Sequence, residues 1–297
     1  MRKWLFLIVL AVFLLVLARY FTTDTANLRV LSVYDDRLTF FEKLLPKIRK
    51  DINENKFEEV VSRLKDRDGD YGIYIKDLDN GRVYKFNEDE LFYGASLFKT
   101  PIAVAVLKEI QLGNIDMEDQ LEFQSRDASD GTGTINSLGI GTRLSFDYVL
   151  DRLLKDSDNT AQNMLLRHIA PYQVRNAFEI IPVKNYFLDS NNVTPYQIAA
   201  LFEELLAGNY LTSSYKEILL NKMSETSFDD RISSGLKEDL EFAHKIGNWG
   251  DTGSWHDCGV VYDQHKKVVV CLMSRNTTFE DFILVSVDLA EFVNILF

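Results

Sequence analysis

Ser96-Leu97-Phe98-Lys99 places a hydroxyl and an amine three residues apart, and on a helix that spacing puts both on one face. An amine held in an apolar pocket gives up its proton readily and can then take one from serine. The chemistry implied is acyl transfer through an activated serine. Ser-x-x-Lys occurs four times in the chain, also at Ser62/Lys65, Ser213/Lys216 and Ser234/Lys237, so spacing alone decides nothing. Context does. Lys99 stands at the head of Thr100-Pro101-Ile102-Ala103-Val104-Ala105-Val106-Leu107, a segment apolar enough to be buried, whereas the other three pairs lie in polar stretches where lysines are ordinarily solvated.

Two further groups follow in order. Ser157-Asp158-Asn159 sits between two helical patterns, and Lys245-Ile246-Gly247 lies near the end of a strand pattern. Alone, Ser-Asp-Asn is a good helix N-cap and Lys-x-Gly is noise; together, each with suitable local structure, they define a site. Other chemistries find less support. Gly94-Ala95-Ser96-Leu97-Phe98 lacks the second glycine of a G-x-S-x-G elbow. The four histidines, His168, His244, His256 and His265, are scattered, and His256-Asp257-Cys258 alternates faces on a strand, which suits no chelate. The reading calls for no metal and no cofactor.

With S-x-x-K, S-D-N and K-x-G in this order, the chain resembles the class A β-lactamase and penicillin-binding superfamily. The likeness extends from about Tyr71 to Asn276, through Gly72–Leu78, Asp130–Thr134, Val193-Thr194-Pro195 and His256–Tyr262. It implies an α+β fold, with an antiparallel sheet flanked by helices and a helical subdomain over about 95–212. It also implies roles. Ser96 would attack an acyl carbonyl with Lys99 as base, and Ser157 would pass a proton to the leaving nitrogen. Asn159 would hold the substrate amide, Lys245 a substrate carboxylate, and Gly247 would let substrate lie against the strand. The backbone N–H groups of Ser96 and Asn248 would form the oxyanion hole. The implied substrate is a β-lactam or a cell-wall peptide; the alternatives are a D-alanyl peptidase and a sensor that is acylated without turnover.

Two departures bear on that expectation. Ile246 replaces the threonine of K-T-G and cannot hydrogen-bond a carboxylate, so substrates carrying one should bind less well, or another group must compensate. Between Asn159 and Thr194 the only glutamate is Glu179, which reads as a solvated residue of a helix over 176–181 and not as the deacylating base of an omega loop. Deacylation is therefore expected to be slow.

The elements that position these residues follow from periodicity. Apolar positions from Leu38 to Lys65 predict one or two amphipathic helices. Tyr71–Ile75 and Arg82–Phe86 predict a hairpin about Asp79-Asn80-Gly81. Phe98–Leu112 predicts a buried helix, and Phe146–Leu154, Thr160–Ile169 and Pro195–Leu206 predict others. Residues 242–247, 255–262 and 267–275 predict three strands, and Phe279–Phe297 a closing helix. Strands at both ends with helices between them predict a sheet completed by both termini. Cys258 and Cys271 fall on neighbouring strands; two small buried thiols are the simpler expectation, and a cross-strand bridge is the alternative.

The chain has 297 residues, 33 basic against 45 acidic, for a net charge of −12, which disfavours a nucleic-acid partner. Met1-Arg2-Lys3 precedes the apolar run Trp4–Ala18, roughly 22 Å of helix. We read residues 1–21 as a membrane anchor with the rest of the chain outside; Asp24-Thr25-Ala26 is a poor cleavage site for the alternative, a signal peptide. Residues 22–37 read as a stalk and 38–297 as the catalytic domain.

Overall fold

A computed structural model describes residues 52–180 and 190–297; the anchor, the stalk and the start of the expected domain lie outside them. Among the described residues no helix is long and apolar enough to cross a membrane. Chain contacts group Asn53–Phe297 into one compact unit.

Its centre is a five-stranded antiparallel sheet. In chain order the strands are β1 (Asp70–Asp77), β2 (Val83–Phe86), β7 (Glu241–Trp249), β8 (Ser254–Tyr262) and β9 (Lys267–Arg275), arranged β2-β1-β9-β8-β7. The closing segment therefore lies beside the opening one, with Asp70 opposite Arg275 and Asp77 opposite Val268. Two small ladders, β3 (Phe92–Tyr93) with β6 (Asn192–Val193) and β4 (Gln120–Glu122) with β5 (Arg143–Ser145), had no periodic signature because they are two or three residues long.

Period-two alternation explains why the sheet has two buried faces. Val268, Val270 and Leu272 join Ile73 and Ile75 in a core closed by helix α1 (52–64) and the closing helix, Phe279–Leu296. Val269, Cys271 and Met273 face the other way, onto a larger core of helices. These are α2 (Lys99–Gln111), α3 (Phe146–Lys155), α4 (Asn159–Leu166), α5 (Pro171–Glu179), α6 (Pro195–Ala207) and α7 (Ser213–Ser224). α2 runs through the middle, with Lys99 to Leu107 all buried. Helix α5 begins at Pro171, five residues before the expected start, and α7 was not foreseen; its mixed sequence buries only Leu219 and Met223. A short helix α8 (Ile232–Gly235) and the closing helix α9 complete the order.

Cys258 and Cys271 lie directly opposite in the β8/β9 register and are bonded to each other. This corrects the expectation of two thiols: the pairing register aims both side chains at the same face, where their Cα atoms are 4.0 Å apart.

Candidate active site

Ser96 lies on a single 3-10 turn, Ala95–Phe98, that leads straight into α2, so Lys99 is the first α-helical residue. Ala95, just before the serine, has φ +47°, a left-handed conformation that alanine takes only when its surroundings impose it. Lys99 Nζ lies 3.1 Å from Ser96 Oγ, 3.2 Å from Ser157 Oγ and 2.6 Å from Asn159 Oδ1, and it also donates to the Ser157 carbonyl. One amine thus gathers Ser96, Ser157 and Asn159. Lys99 is 1% exposed, and burial lowers its pKa to about 7 against a smaller opposing pull from Asp158. Near neutral pH a substantial fraction of this amine is uncharged and can accept the Ser96 proton. None of the other Ser-x-x-Lys pairs has a buried lysine: Lys65 and Lys237 are exposed, and half-buried Lys216 caps the carbonyls of Leu206 and Gly208.

The Ser157-Asp158-Asn159 segment is both a helix cap and part of the site. Asp158 caps α4 by accepting from Ala161 N–H at 2.8 Å, and its other oxygen accepts from Thr134 and Ile135 N–H at 2.7 and 2.8 Å. With Asp158 anchored, Ser157 is held at φ +55°. The loop of Asp130–Thr134 wraps the segment closely. A Cβ on Gly133 would fall 2.1 Å from the Asp158 carboxyl carbon, and one on Gly131 2.7 Å from Asn159 Nδ2, so only glycine permits this approach.

Strand β7 brings the third group. Lys245 is on the helix-facing side, opposite Cys258, and is fully buried. Burial first, then the positive charges of Lys99 and Arg231, press its pKa well below the ordinary lysine value. Its Nζ has a weak contact with the Ile246 carbonyl at 3.4 Å. Gly247 is where the strand meets the Ser96 turn: an added Cβ would lie 2.8 Å from the Gly94 carbonyl and 2.8 Å from His256 Cδ2. Asn248 follows, its Oδ1 buried with no hydrogen-bond partner among the described residues.

Two buried residues, Arg231 and His256, were given no part in the site by the sequence. Arg231, 1% exposed, makes no hydrogen bond from Nε or Nη1 among the described residues, though Nε lies 3.6 Å from Asp230 Oδ1. Its guanidinium carbon and Lys245 Nζ each lie 6.0 Å from the Phe228 ring centre, and its positive charge is felt at Lys245. No motif marks an arginine at the edge of a four-residue helix. His256 donates from Nε2 to the Tyr93 carbonyl at 2.7 Å and accepts at Nδ1 from Ser274 N–H, which ties the strand before Ser96 to the sheet. Burial drives its pKa down to about 4. Asp257 pairs instead with His244 at 2.5 Å, and Cys258 is in the disulfide. The three consecutive residues therefore do not converge on one point.

An antiparallel sheet with helices on both faces, and a serine, two lysines and a second serine where the helical part meets an edge strand, defines the β-lactamase and penicillin-binding class of fold. Residues 53–287 match the β-lactamase enzyme family, and the chain belongs to that family. It is 24% identical over 237 residues to β-lactamase SME-1 of Serratia marcescens, covering 73% of this chain and 80% of that one. It is 25% identical over 244 residues to a β-lactamase of Bacillus subtilis, covering 76% and 78%. Among solved structures, a β-lactamase from Sphaerobacter thermophilus superposes with a TM-score of 0.72 at 20% identity, over 80% of this chain and 95% of that one. PBP-A superposes with a TM-score of 0.72 at 21% identity, over 81% and 94%. A variant of PBP-A solved as an acyl-enzyme complex with penicillin G superposes at 0.70. The family's enzymes are serine hydrolases acting on amide bonds.

Proposed function

We propose that the chain is an extracytoplasmic active-site-serine hydrolase that takes the acyl group of a β-lactam or a related amide onto Ser96. The observation that carries this is the buried Lys99 amine, with its pKa near 7, at 3.1 Å from Ser96 Oγ. In acylation, neutral Lys99 accepts the Ser96 proton as Oγ attacks the carbonyl carbon. Ser157, linked to the same amine, passes a proton to the leaving nitrogen as the amide bond breaks. Asn159 holds the substrate amide. The N–H groups of Ser96 and Asn248 receive the oxyanion, each worth ~3 kcal/mol in such sites. Lys245 attracts a substrate carboxylate, and Arg231, whose Nη1 makes no hydrogen bond among the described residues, supplies the help that Ile246 cannot.

Slow deacylation belongs to the same reading. Glu179 is exposed at the end of α5, and Asp158 is committed to three backbone N–H groups. Tethering by Trp4–Ala18 is supported by the sequence, and an extracytoplasmic location also by the Cys258–Cys271 bond, which an oxidising compartment favours.

A fluorescent penicillin tests the proposal. Covalent labelling is expected on the wild-type chain and none on Ser96→Ala, with the fold intact because one oxygen is lost. Labelling that survives the substitution, or that maps to Ser62, Ser213 or Ser234, would refute the assignment. Label that persists after washout favours an acyl-enzyme of long life; rapid loss favours a true β-lactamase.

A further inference from the structure

Ser157 has a demanding position: a non-glycine residue at φ +55° whose carbonyl and hydroxyl both face the Lys99 amine. Left-handed backbone in a serine costs on the order of 1 kcal/mol or more, so something must hold it. Asp158 fixes the backbone on the C-terminal side. On the carbonyl itself the restraint is Thr132, whose hydroxyl donates to Ser157 O at 2.6 Å. Thr132 is in turn anchored through its own carbonyl, which accepts from Asn159 N–H at 3.0 Å, while Asn159 Nδ2 donates to the Asp130 carbonyl at 3.0 Å. The two glycines flanking Thr132, both at positive φ, let the loop come this close.

A carbonyl oxygen has two lone pairs. At Ser157 one receives Lys99 and the other Thr132. We infer that Thr132 is a positioning residue for the reaction: its hydroxyl holds the Ser157 carbonyl in place and shares it with Lys99, so that the Ser157 hydroxyl and the amine stay aligned on Ser96. No base, nucleophile or substrate contact is assigned to Thr132 itself. The inference rests on the proposed roles of Ser96, Lys99 and Ser157.

The electrostatic consequence has a sign. A hydroxyl donating to the Ser157 oxygen draws off electron density that would otherwise stabilise the ammonium form of Lys99. Without it, the ammonium gains a better acceptor, and the amine should hold its proton to higher pH. The other groups facing Lys99 are Ser96 Oγ, Ser157 Oγ and Asn159 Oδ1 by contact, and Asp158 and Lys245 through charge.

Thr132→Val keeps the shape and removes the donor; Thr132→Ser keeps the donor. The side chain is exposed, so both variants should fold, checked by thermal unfolding. Stopped-flow acylation by a fluorescent penicillin is expected to show the valine variant about tenfold slower in the acylation step, the worth of one hydrogen bond. Its apparent dissociation constant should stay within about twofold, and serine should restore the rate. Independently of any substrate, a 13C-lysine NMR titration should show Lys99 releasing its proton at higher pH in the valine variant, by about half a unit or more. A Thr132→Val chain with unchanged Lys99 titration, or a serine variant that titrates like valine, overturns the inference. Wild-type chain that no penicillin labels would instead count against the proposed function, and the titration would still decide the role of Thr132.

Discussion

A lysine can act as a base only if the protein keeps it out of water without pairing it with a carboxylate. Lys99 meets both conditions: its contacts are two hydroxyls, a carbonyl and an amide oxygen, and the nearest acid, Asp158, is occupied by backbone N–H groups. The folded pKa of about 7 lies below the unpaired value of 10.5. The unfolded chain therefore binds more protons than the folded one between those values, and this group's contribution to stability rises with pH from about 7 to 10.5. Activity has a different window. On the proposed mechanism acylation of Ser96 needs the neutral amine, so its rate constant should climb about tenfold per pH unit below 7 and level off above about 8. Single-turnover acylation measured from pH 5.5 to 9 checks this. A flat profile would show that Lys99 is not the base; a rate falling with pH would show that its charged form does the work.

At the scale of elements, the site depends on an edge strand, β7, whose neighbours are β8 and then β9. The row Lys245, Cys258, Cys271 and Tyr74 crosses four strands on one face, and the disulfide lies within it. Joining residues 13 apart in sequence stabilises by about 2–3 kcal/mol in the loop-entropy account. A Cys258→Ala/Cys271→Ala chain should therefore melt about 5–10 °C lower, by circular dichroism, while its Lys99 titration stays in place because β7 remains paired to β8. An unchanged melting temperature would show that the hairpin is already fully ordered without the bond. These strands were legible because alternation and turn residues were strong: 267–275 was read with its observed limits, and Asn80-Gly81 marked the hairpin. The disulfide was not, because a bridge depends on register, and one residue of slip would have turned the two cysteines to opposite faces. Arg231 and Thr132 were missed for a related reason. Their importance comes from which backbone carbonyl or ring they reach across the fold, and no periodicity encodes that.

At the scale of the whole molecule, the question is what happens after acylation. On the proposed reading, the described residues around Ser96 serve the first half of the reaction, with Lys99 as base, Ser157 as proton relay and Lys245 on the neighbouring strand for a substrate carboxylate. The second half requires a base aimed at a water on the opposite side of the ester. In the sequence between Asn159 and Thr194 the only glutamate is Glu179, which α5 carries into solvent. Losing a positioned general base costs about 10²–10⁴-fold, or roughly 3–5 kcal/mol in barrier. A strained β-lactam should therefore acylate Ser96 and remain there. Intact-protein mass spectrometry after mixing with penicillin G is expected to show one penicilloyl adduct lasting minutes or longer, mapping to Ser96 on digestion. Turnover without a detectable adduct would overturn this, and a base must then be found. Glu179→Gln would then be tested for accumulation of the adduct. If it does not accumulate, Lys99 itself must return the proton in both halves of the reaction, and deacylation should then follow the same pH limb as acylation.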